Sequence, residues 1–152
     1  MSKDQVSKNS INRSTEYHDL IDRLYGADKI FRYIYEVLCF AAYVGLHGGS
    51  RKKIKSKDEP VRLRLFEENE LDRHIWSINL FNGNDVALLK DSTQCLEVFE
   101  EYANGGLEII DNKLKDHPED LTGIDTLSAM ISTVQANFAG KKSTAPKKKI
   151  KF

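Results

Sequence analysis

Apolar residues recur at spacings of three and four along most of the chain, which is the period of an amphipathic helix. The clearest example follows a cap at Asp91 or Ser92 and keeps one apolar face as far as Ile110. A second helix is predicted over Asp28–Leu46, and from Val37 onward it is apolar on most sides. A helix of that kind is usually central and buried, so we expect it to form the core.

Three shorter helices have less regular apolar faces. The first is predicted to begin after Ser14 or Thr15 and to end at Gly26. The second is predicted to span Glu67–Phe81, and the third Asp120–Phe138. Between them, Val61–Phe66 alternates apolar and basic residues with the period of a strand. No partner strand is evident, so an extended segment that lies on the helices is the alternative.

These elements predict an all-α or predominantly α fold, a compact bundle of about five helices with one short extended segment. Residues 1–14 are polar and are predicted to form a flexible N-terminal arm. Residues 15–138 are predicted to form a single helical domain, and residues 139–152 a disordered basic tail. The predicted core combines the two main helices through Phe31, Leu38, Ala41, Leu96, Phe99, Tyr102 and Leu107.

The overall charge is balanced, with 23 lysines and arginines against 23 aspartates and glutamates in 152 residues. A uniformly basic nucleic-acid binder is therefore excluded, and any such contact must come from local patches. The longest apolar run, Val37–Leu46, is far shorter than the ~20 residues that cross a bilayer. Cys39 and Cys95 lie in apolar surroundings, as expected of buried thiols in a reducing compartment. We expect a cytoplasmic protein with no membrane partner.

Two basic segments are the main positive signal for binding. Cationic side chains favour phosphate groups whatever the base sequence, so these segments are candidates for contact with nucleic acid or another acidic partner. The alternatives are a solubilising loop and tail, or pairing with the acidic run Glu67, Glu68, Glu70 and Asp72. No aromatic residue is interleaved in the loop, so base stacking is not indicated. The candidates are Arg51, Lys52, Lys53, Lys55 and Lys57 in the loop, and Lys141, Lys142, Lys147, Lys148, Lys149 and Lys151 in the tail.

The sequence predicts no catalytic, cofactor-binding or metal-binding residues. The histidines are scattered, and none is paired with another histidine or a cysteine at ligand spacing. Gly48-Gly49 and Gly105-Gly106 lack the sequence context of a phosphate loop. We interpret the first pair as a helix end. The second pair lies inside a predicted helix and indicates a kink or the close packing of another helix.

A metal-dependent nuclease is the remaining enzymatic alternative. Nucleases of the restriction type carry an acidic residue and then an acid-x-lysine motif on a strand hairpin, and Asp111-Asn112-Lys113 has those letters. The flanking residues repeat with helical period, so we expect a helix here, without the geometry that would hold a divalent ion. An activity assay with Mg²⁺ or Mn²⁺ would test this alternative.

Several features occur in a fixed order between Val37 and Leu114. The apolar helix segment Val37–Gly45 is followed by a glycine-to-basic loop, Gly48–Lys53, and later by an acidic helix start and an aromatic-bearing helix, Leu71–Phe81. A Gly-Asn/Asp turn, a Leu-Leu-Lys-Asp segment and the decapeptide Phe99–Glu108 complete the pattern. In this order they resemble the Dnd system-associated protein 4 family, small prokaryotic proteins encoded near DNA phosphorothioation and related antiviral restriction genes.

The resemblance implies an accessory or regulatory protein of a phage-defence system, and it carries no catalytic residue over to this chain. The chain departs from the family pattern at Ser77, Asn79 and Asn82, where alanine or threonine is usual, and the N-terminal arm and basic tail lie outside it. Our leading hypothesis is a non-enzymatic subunit that binds larger proteins of a defence complex. The alternative is a small DNA-binding protein or regulator that uses the basic loop and tail. The identity of the partner and the oligomeric state stay open.

Overall fold

The computed structural model describes residues 8–83 and 86–140, and most of these residues are helical. The predicted predominantly helical fold class is therefore confirmed. The α-helices of the described ranges are α1 (His18–Leu24), α2 (Ile34–Gly48), α3 (Leu63–Glu68), α4 (Asp72–Gly83), α5 (Ser92–Lys115) and α6 (Ile124–Gly140).

Two very short strands accompany the helices. β1 (Ser10–Ile11) and β2 (Val61–Arg62) pair antiparallel, with Ile11 opposite Val61. Short 3₁₀ turns cover Thr15–Tyr17 before α1 and Val86–Lys90 before α5. The strands bring the start of the described chain next to the segment that follows the basic loop.

The fold is centred on the crossing of α2 and α5, where both helices bury most of their apolar residues. A Cβ added at Gly106 would overlap the backbone carbonyl of Ala41, and one added at Gly45 would overlap that of Tyr102. The two backbones therefore touch with no side chain between them, which requires glycine at these positions. α5 runs without interruption through Gly105 and Gly106.

Side chains on either side of this crossing form the core. Phe99 on α5 is fully buried, and its ring meets that of Phe66 edge-on, with centroids 5.9 Å apart. Most of the predicted core residues are buried, but Phe31 and Tyr102 are only partly buried. Tyr102 lies at the edge of the crossing, where its hydroxyl donates a hydrogen bond to Asn82 at 2.5 Å. An aromatic ring with a polar tip is better satisfied at such an edge than in the interior.

The central helix begins at Ile34, later than the predicted start at Asp28. The preceding residues form a tight loop in which the Phe31 amide donates to the Leu24 carbonyl at 2.9 Å. That bond ties the loop to the end of α1 and keeps it out of the helix. Glu36 caps α2, because its carboxylate accepts from the backbone amides of Arg32 and Tyr33, just before the helix, at 3.0 and 3.1 Å.

The predicted strand over Val61–Phe66 is wrong beyond its second residue. β2 ends at Arg62, and the chain continues directly into α3. The helix turns the side chain of Phe66 into the core, where it is fully buried. Leu65, which the alternating pattern would place on the buried face of a strand, is exposed instead. Tertiary packing of one aromatic ring outweighs the weak local preference of the alternating residues.

Residues 8–14, which belong to the predicted flexible arm, pack against the helical part of the chain. Ile11 is fully buried, and Arg13 and Ser14 are also buried. The backbone of this segment pairs with β2, and Ser14 forms a bridge with Lys57 in the basic loop. The arm thus supplies the partner strand that was not evident in the sequence. Residues 1–7 lie outside the described ranges.

The predicted helix over Glu67–Phe81 is divided into α3 and α4. The break lies at Glu70, whose backbone is left-handed with φ 59°. The Leu71 amide closes the end of α3 by donating to the Phe66 carbonyl at 2.8 Å. α4 then continues through Gly83. The two residues that follow Gly83 lie outside the described ranges.

α6 begins at Ile124, after the predicted start at Asp120. Asp120 stays in the preceding turn, where its carboxylate accepts from the amide and the hydroxyl of Thr126 at 2.8 and 2.7 Å. The helix continues to Gly140, slightly past the predicted end at Phe138. The lysines of the basic tail lie outside the described ranges. Over those ranges, no helix combines the length and apolar character needed to cross a bilayer.

Candidate functional site

The basic loop, residues 50–60, lies along one side of α5 together with residues 8–17, which we call the arm from here on. We call this surface the arm–loop face. Backbone contacts fix the loop there: the Lys52 amide donates to the Glu101 carbonyl at 3.0 Å, and Asn104 donates to the carbonyls of Lys52 and Lys53 at 3.2 and 3.3 Å. At the start of the loop, Gly105 lets the backbone of Ser50 approach α5 closely. The candidate residues of the loop therefore have defined positions.

Arg51 is held on the surface of α5. Its guanidinium donates to the Glu101 carboxylate at 2.7 Å and lies over the ring of Tyr102, 5.6 Å from the centroid. The salt bridge and the aromatic contact both restrict the side chain. Arg51 thus acts mainly as an attachment of the loop to α5.

Lys52 points back toward the body of the protein, and its side chain is 25% exposed. Its ammonium donates to the Tyr17 hydroxyl at 2.7 Å and pairs with Glu16 and Glu108 at 3.2 and 3.4 Å. The Tyr17 hydrogen bond and the neighbouring carboxylates raise the pKa of Lys52 above its usual value, so the ammonium stays charged. Lys52 therefore joins the arm, the loop and α5.

A second polar cluster joins the end of the loop to the arm and α1. The Asp58 carboxylate accepts from Arg13 at 3.1 Å and from His18 Nδ1 at 2.6 Å. On the other side of the imidazole, Nε2 lies 3.1 Å from a carboxylate oxygen of Asp22. The hydrogen bond to Asp58 raises the pKa of His18, and the same bond lowers the pKa of Asp58. This cluster stabilises the protonated form of His18.

Glu100 anchors the beginning of the arm to α5. Its carboxylate accepts from the Asn12 amide at 2.6 Å and pairs with the Lys8 ammonium at 2.9 Å, although the residue is only 6% exposed. Burial raises the pKa of Glu100, and the contacts with Asn12 and Lys8 oppose that rise. A buried carboxylate without hydrogen-bond donors would be costly, and here both donors come from the arm. The contact therefore holds the arm against α5.

Lys53, Lys55 and Lys57 differ from the first two cations of the loop. All three are exposed, and none has an ion-pair partner within the ranges that the structure describes. Behind Lys53, Asn104 is 2% exposed, and its side-chain oxygen accepts no hydrogen bond from any described residue. We call Lys53, Lys55 and Lys57 the lysine edge. The structure thus divides the predicted basic site into two anchoring cations and three outward ones.

Several residues of this face could not be selected from the sequence. Glu100, Asp58 and Arg13 read as ordinary surface charges, because nothing in their local spacing marks them. Arg13 and Asp58 lie 45 positions apart, and Asn12 and Glu100 lie 88 positions apart. Only the capping pattern before α1 gave a usable signal, since Ser14 was a predicted cap and its hydroxyl accepts from the Glu16 amide.

The chemistry of the other candidates is limited. Among the described residues, no three histidine, cysteine, aspartate or glutamate side chains lie close enough to hold a metal ion. Burial raises the pKa of Cys39 to about 12, so its thiol is a poor nucleophile at neutral pH. Asp111-Asn112-Lys113 lies on α5, as predicted, and the Asp111 carboxylate pairs with Lys115 at 2.9 Å.

In a comparison with protein-family models, residues 10–147 match the family described as DNA sulphur modification system-associated protein 4. The match confirms the resemblance inferred from the central part of the chain. It also includes α6, most of the arm and the first part of the basic tail, so the prediction that the arm and the tail lie outside the family pattern is wrong for residues 10–14 and 141–147. No curated protein and no solved structure matches the chain.

Proposed function

Because the chain belongs to the DNA sulphur modification system-associated protein 4 family, we propose that it is a non-enzymatic accessory or regulatory subunit of a DNA phosphorothioation-linked defence system. It acts by binding larger proteins of that system in the cytoplasm. Family membership is the observation that carries this proposal, since the family is described by its association with the system and not by a reaction.

The contacts of the charged residues support the same proposal. On the arm–loop face, most carboxylates serve structural contacts: Glu100 fixes the arm, Asp58 fixes the end of the loop, and Glu101 fixes Arg51. Carboxylates that already neutralise fixed cations are poorly suited to hold a metal ion or to accept a proton from a substrate.

Co-purification tests the proposal directly. The tagged full-length chain is expressed in a host that carries the DNA sulphur modification genes, and the retained proteins are identified by mass spectrometry. We expect proteins encoded by those genes to be retained in near-stoichiometric amounts, and to stay bound after nuclease treatment. The control is the same tagged chain mixed with lysate from a host lacking those genes. Partners that are lost on nuclease treatment, or none at all, would contradict a role through protein contacts.

An activity assay tests the non-enzymatic part of the proposal. The purified chain is incubated with plasmid DNA and Mg²⁺ or Mn²⁺, and we expect no cleavage. Cleavage that disappears in Asp111→Asn would show that the acid-x-lysine segment is catalytic and that the accessory role is wrong.

A further inference from the structure

The basic loop is not one site but two sets of cations with different surroundings. Arg51 and Lys52 are engaged with carboxylates of the same chain, whereas the lysine edge extends outward. We propose that the lysine edge binds the phosphate backbone of duplex DNA. This inference rests on the proposed function, because the association with a DNA modification system is what favours DNA over other polyanions.

The first support is the fixed position of the loop backbone. Asn104 holds the carbonyl of Lys53, the Ser56 carbonyl accepts from the Thr15 amide at 2.9 Å, and Lys57 forms a bridge with Ser14. A loop that is already ordered loses less entropy when it binds than a flexible chain would. The three ammonium groups are thus presented from a rigid backbone, with only the side chains left to order.

The second support is the local charge. The carboxylates nearest the loop are engaged elsewhere: Asp58 pairs with Arg13 and His18, and Glu101 pairs with Arg51. Glu59 is an exposed acidic residue close in sequence to the lysine edge, and its single charge does not balance the three lysines. The edge therefore keeps a net positive charge although the whole chain has a formal net charge of zero. A local excess of positive charge is the electrostatic feature that phosphate binding requires.

The chemistry of lysine defines what the edge can recognise. An ammonium is a compact, strongly hydrated point charge, and it contacts phosphate without reading the bases. The loop segment from Arg51 to Lys57 contains no aromatic residue on which a base could stack. A phosphorothioate group keeps the negative charge of a phosphate. We therefore expect binding that depends neither on the base sequence nor on the sulphur substitution.

The test compares two triple variants of the full-length chain. In one, Lys53, Lys55 and Lys57 are replaced by alanine. In the matched control, the exposed lysines Lys29, Lys90 and Lys115 are replaced by alanine, so the charge lost is the same. Binding to a duplex of random sequence is measured against salt concentration, with and without phosphorothioate linkages. Both variants keep the basic tail, so any difference between them reports on the lysine edge.

We expect the slope of log affinity against log salt to flatten by about 0.9 for each phosphate contact removed, or about 2.7 if all three lysines contact phosphate. The control should keep the slope of the parent chain, and the phosphorothioate duplex should bind as the unmodified one does. Equal behaviour of the two triple variants would overturn the proposal. A preference for the phosphorothioate duplex that survives replacement of the edge would also overturn it.

Failure of this inference is distinguishable from failure of the proposed function. If the edge variant loses partner proteins in the co-purification but keeps its affinity for DNA, the lysines contact an acidic protein surface and the DNA proposal is wrong. If the edge variant loses DNA affinity and keeps its protein partners, the DNA contact is established independently of the protein contacts.

Discussion

The two sides of α5 are held by different kinds of interaction. On one side, α5 crosses α2 so closely that Gly45 and Gly106 leave no space for a side chain. On the other side, the basic loop is attached through partly exposed ion pairs, those of Arg51 with Glu101 and of Lys52 with Glu16 and Glu108. Two backbones in direct contact can pack in only one arrangement. An exposed ion pair, in contrast, adds little to the free energy of unfolding, and its side chains can rearrange when a neighbour is replaced. We infer that the crossing contributes most to the stability of the fold, and that the exposed cations of the arm–loop face are available for binding.

The largest effect should come from the apolar side. Phe99→Ala removes a fully buried ring that packs against Phe66, and it should lower the free energy of unfolding by about 3–5 kcal/mol. The matched control is Phe81→Ala, because Phe81 is 59% exposed and should cost far less. Chemical denaturation of both variants measures the difference. Similar losses for the two variants would mean that Phe99 is not in the core.

The second effect isolates the backbone contact. Gly106→Ala places a methyl group against the Ala41 carbonyl, and neither backbone can move aside as a side chain could. We expect a loss of about 2–3 kcal/mol by denaturation, although alanine favours a helix over glycine by about 1 kcal/mol. Asn112→Ala on the exposed side of the same helix is the control and should change stability by less than about 0.5 kcal/mol. A stabilised Gly106→Ala variant would show that the two helices do not touch there.

A smaller effect should come from the polar side. Lys52→Met keeps the length of the side chain but removes its hydrogen bond to Tyr17 and its pairs with two carboxylates. We expect a loss of about 1 kcal/mol by the same denaturation assay. Lys55→Met, at an exposed position of the same loop, should have almost no effect. Equal effects would remove the distinction between anchoring and outward cations.

The smallest effect should appear as a pH dependence. Folding raises the pKa of His18 above its value in the unfolded chain, which is about 6.5. The contribution of His18 to the free energy of unfolding is therefore full below that pH, and it is lost as the pH rises through the pKa of the folded state. Folding lowers the pKa of Asp58, so the contribution of Asp58 to the free energy of unfolding is lost as the pH falls through its folded-state pKa. The stability difference between the parent chain and His18→Gln should be largest between about pH 4 and pH 6.5 and should shrink above it.

The control for this pH dependence is His117→Gln, at an exposed position that does not contact Asp58. Thermal denaturation from acid to mildly alkaline pH measures both variants against the parent chain. A difference for His18→Gln that grew with rising pH would show that the imidazole does not pair with Asp58 as a cation.

The same contrast explains what the sequence could and could not predict. The positions of α5 and most of α2 follow from the repeat of apolar residues, because one face of each helix is buried along its length. The strand pair could not be predicted, since two residues are too few for a period. The start of α2 was misplaced because a bond from Phe31 to the end of α1 overrides the local capping preference of Asp28.

The candidate site was predictable as a segment but not residue by residue. Five cations in the loop are evident in the sequence, yet nothing local separates Lys52 from Lys53. The distinction depends on Tyr17 and Glu108, which lie 35 and 56 positions away from Lys52. Such long-range hydrogen bonds and ion pairs leave no pattern in the sequence of either partner.

The most direct test measures stability and DNA affinity on the same two loop variants. One variant carries Arg51→Ala and Lys52→Ala, and the other carries alanine at Lys53, Lys55 and Lys57. We predict a crossed result: the first variant loses stability and the second keeps it, while the second loses affinity for duplex DNA. A loss of stability in the second variant equal to that in the first, or a DNA affinity unchanged by the triple replacement, would contradict the division of the loop into anchoring and binding cations.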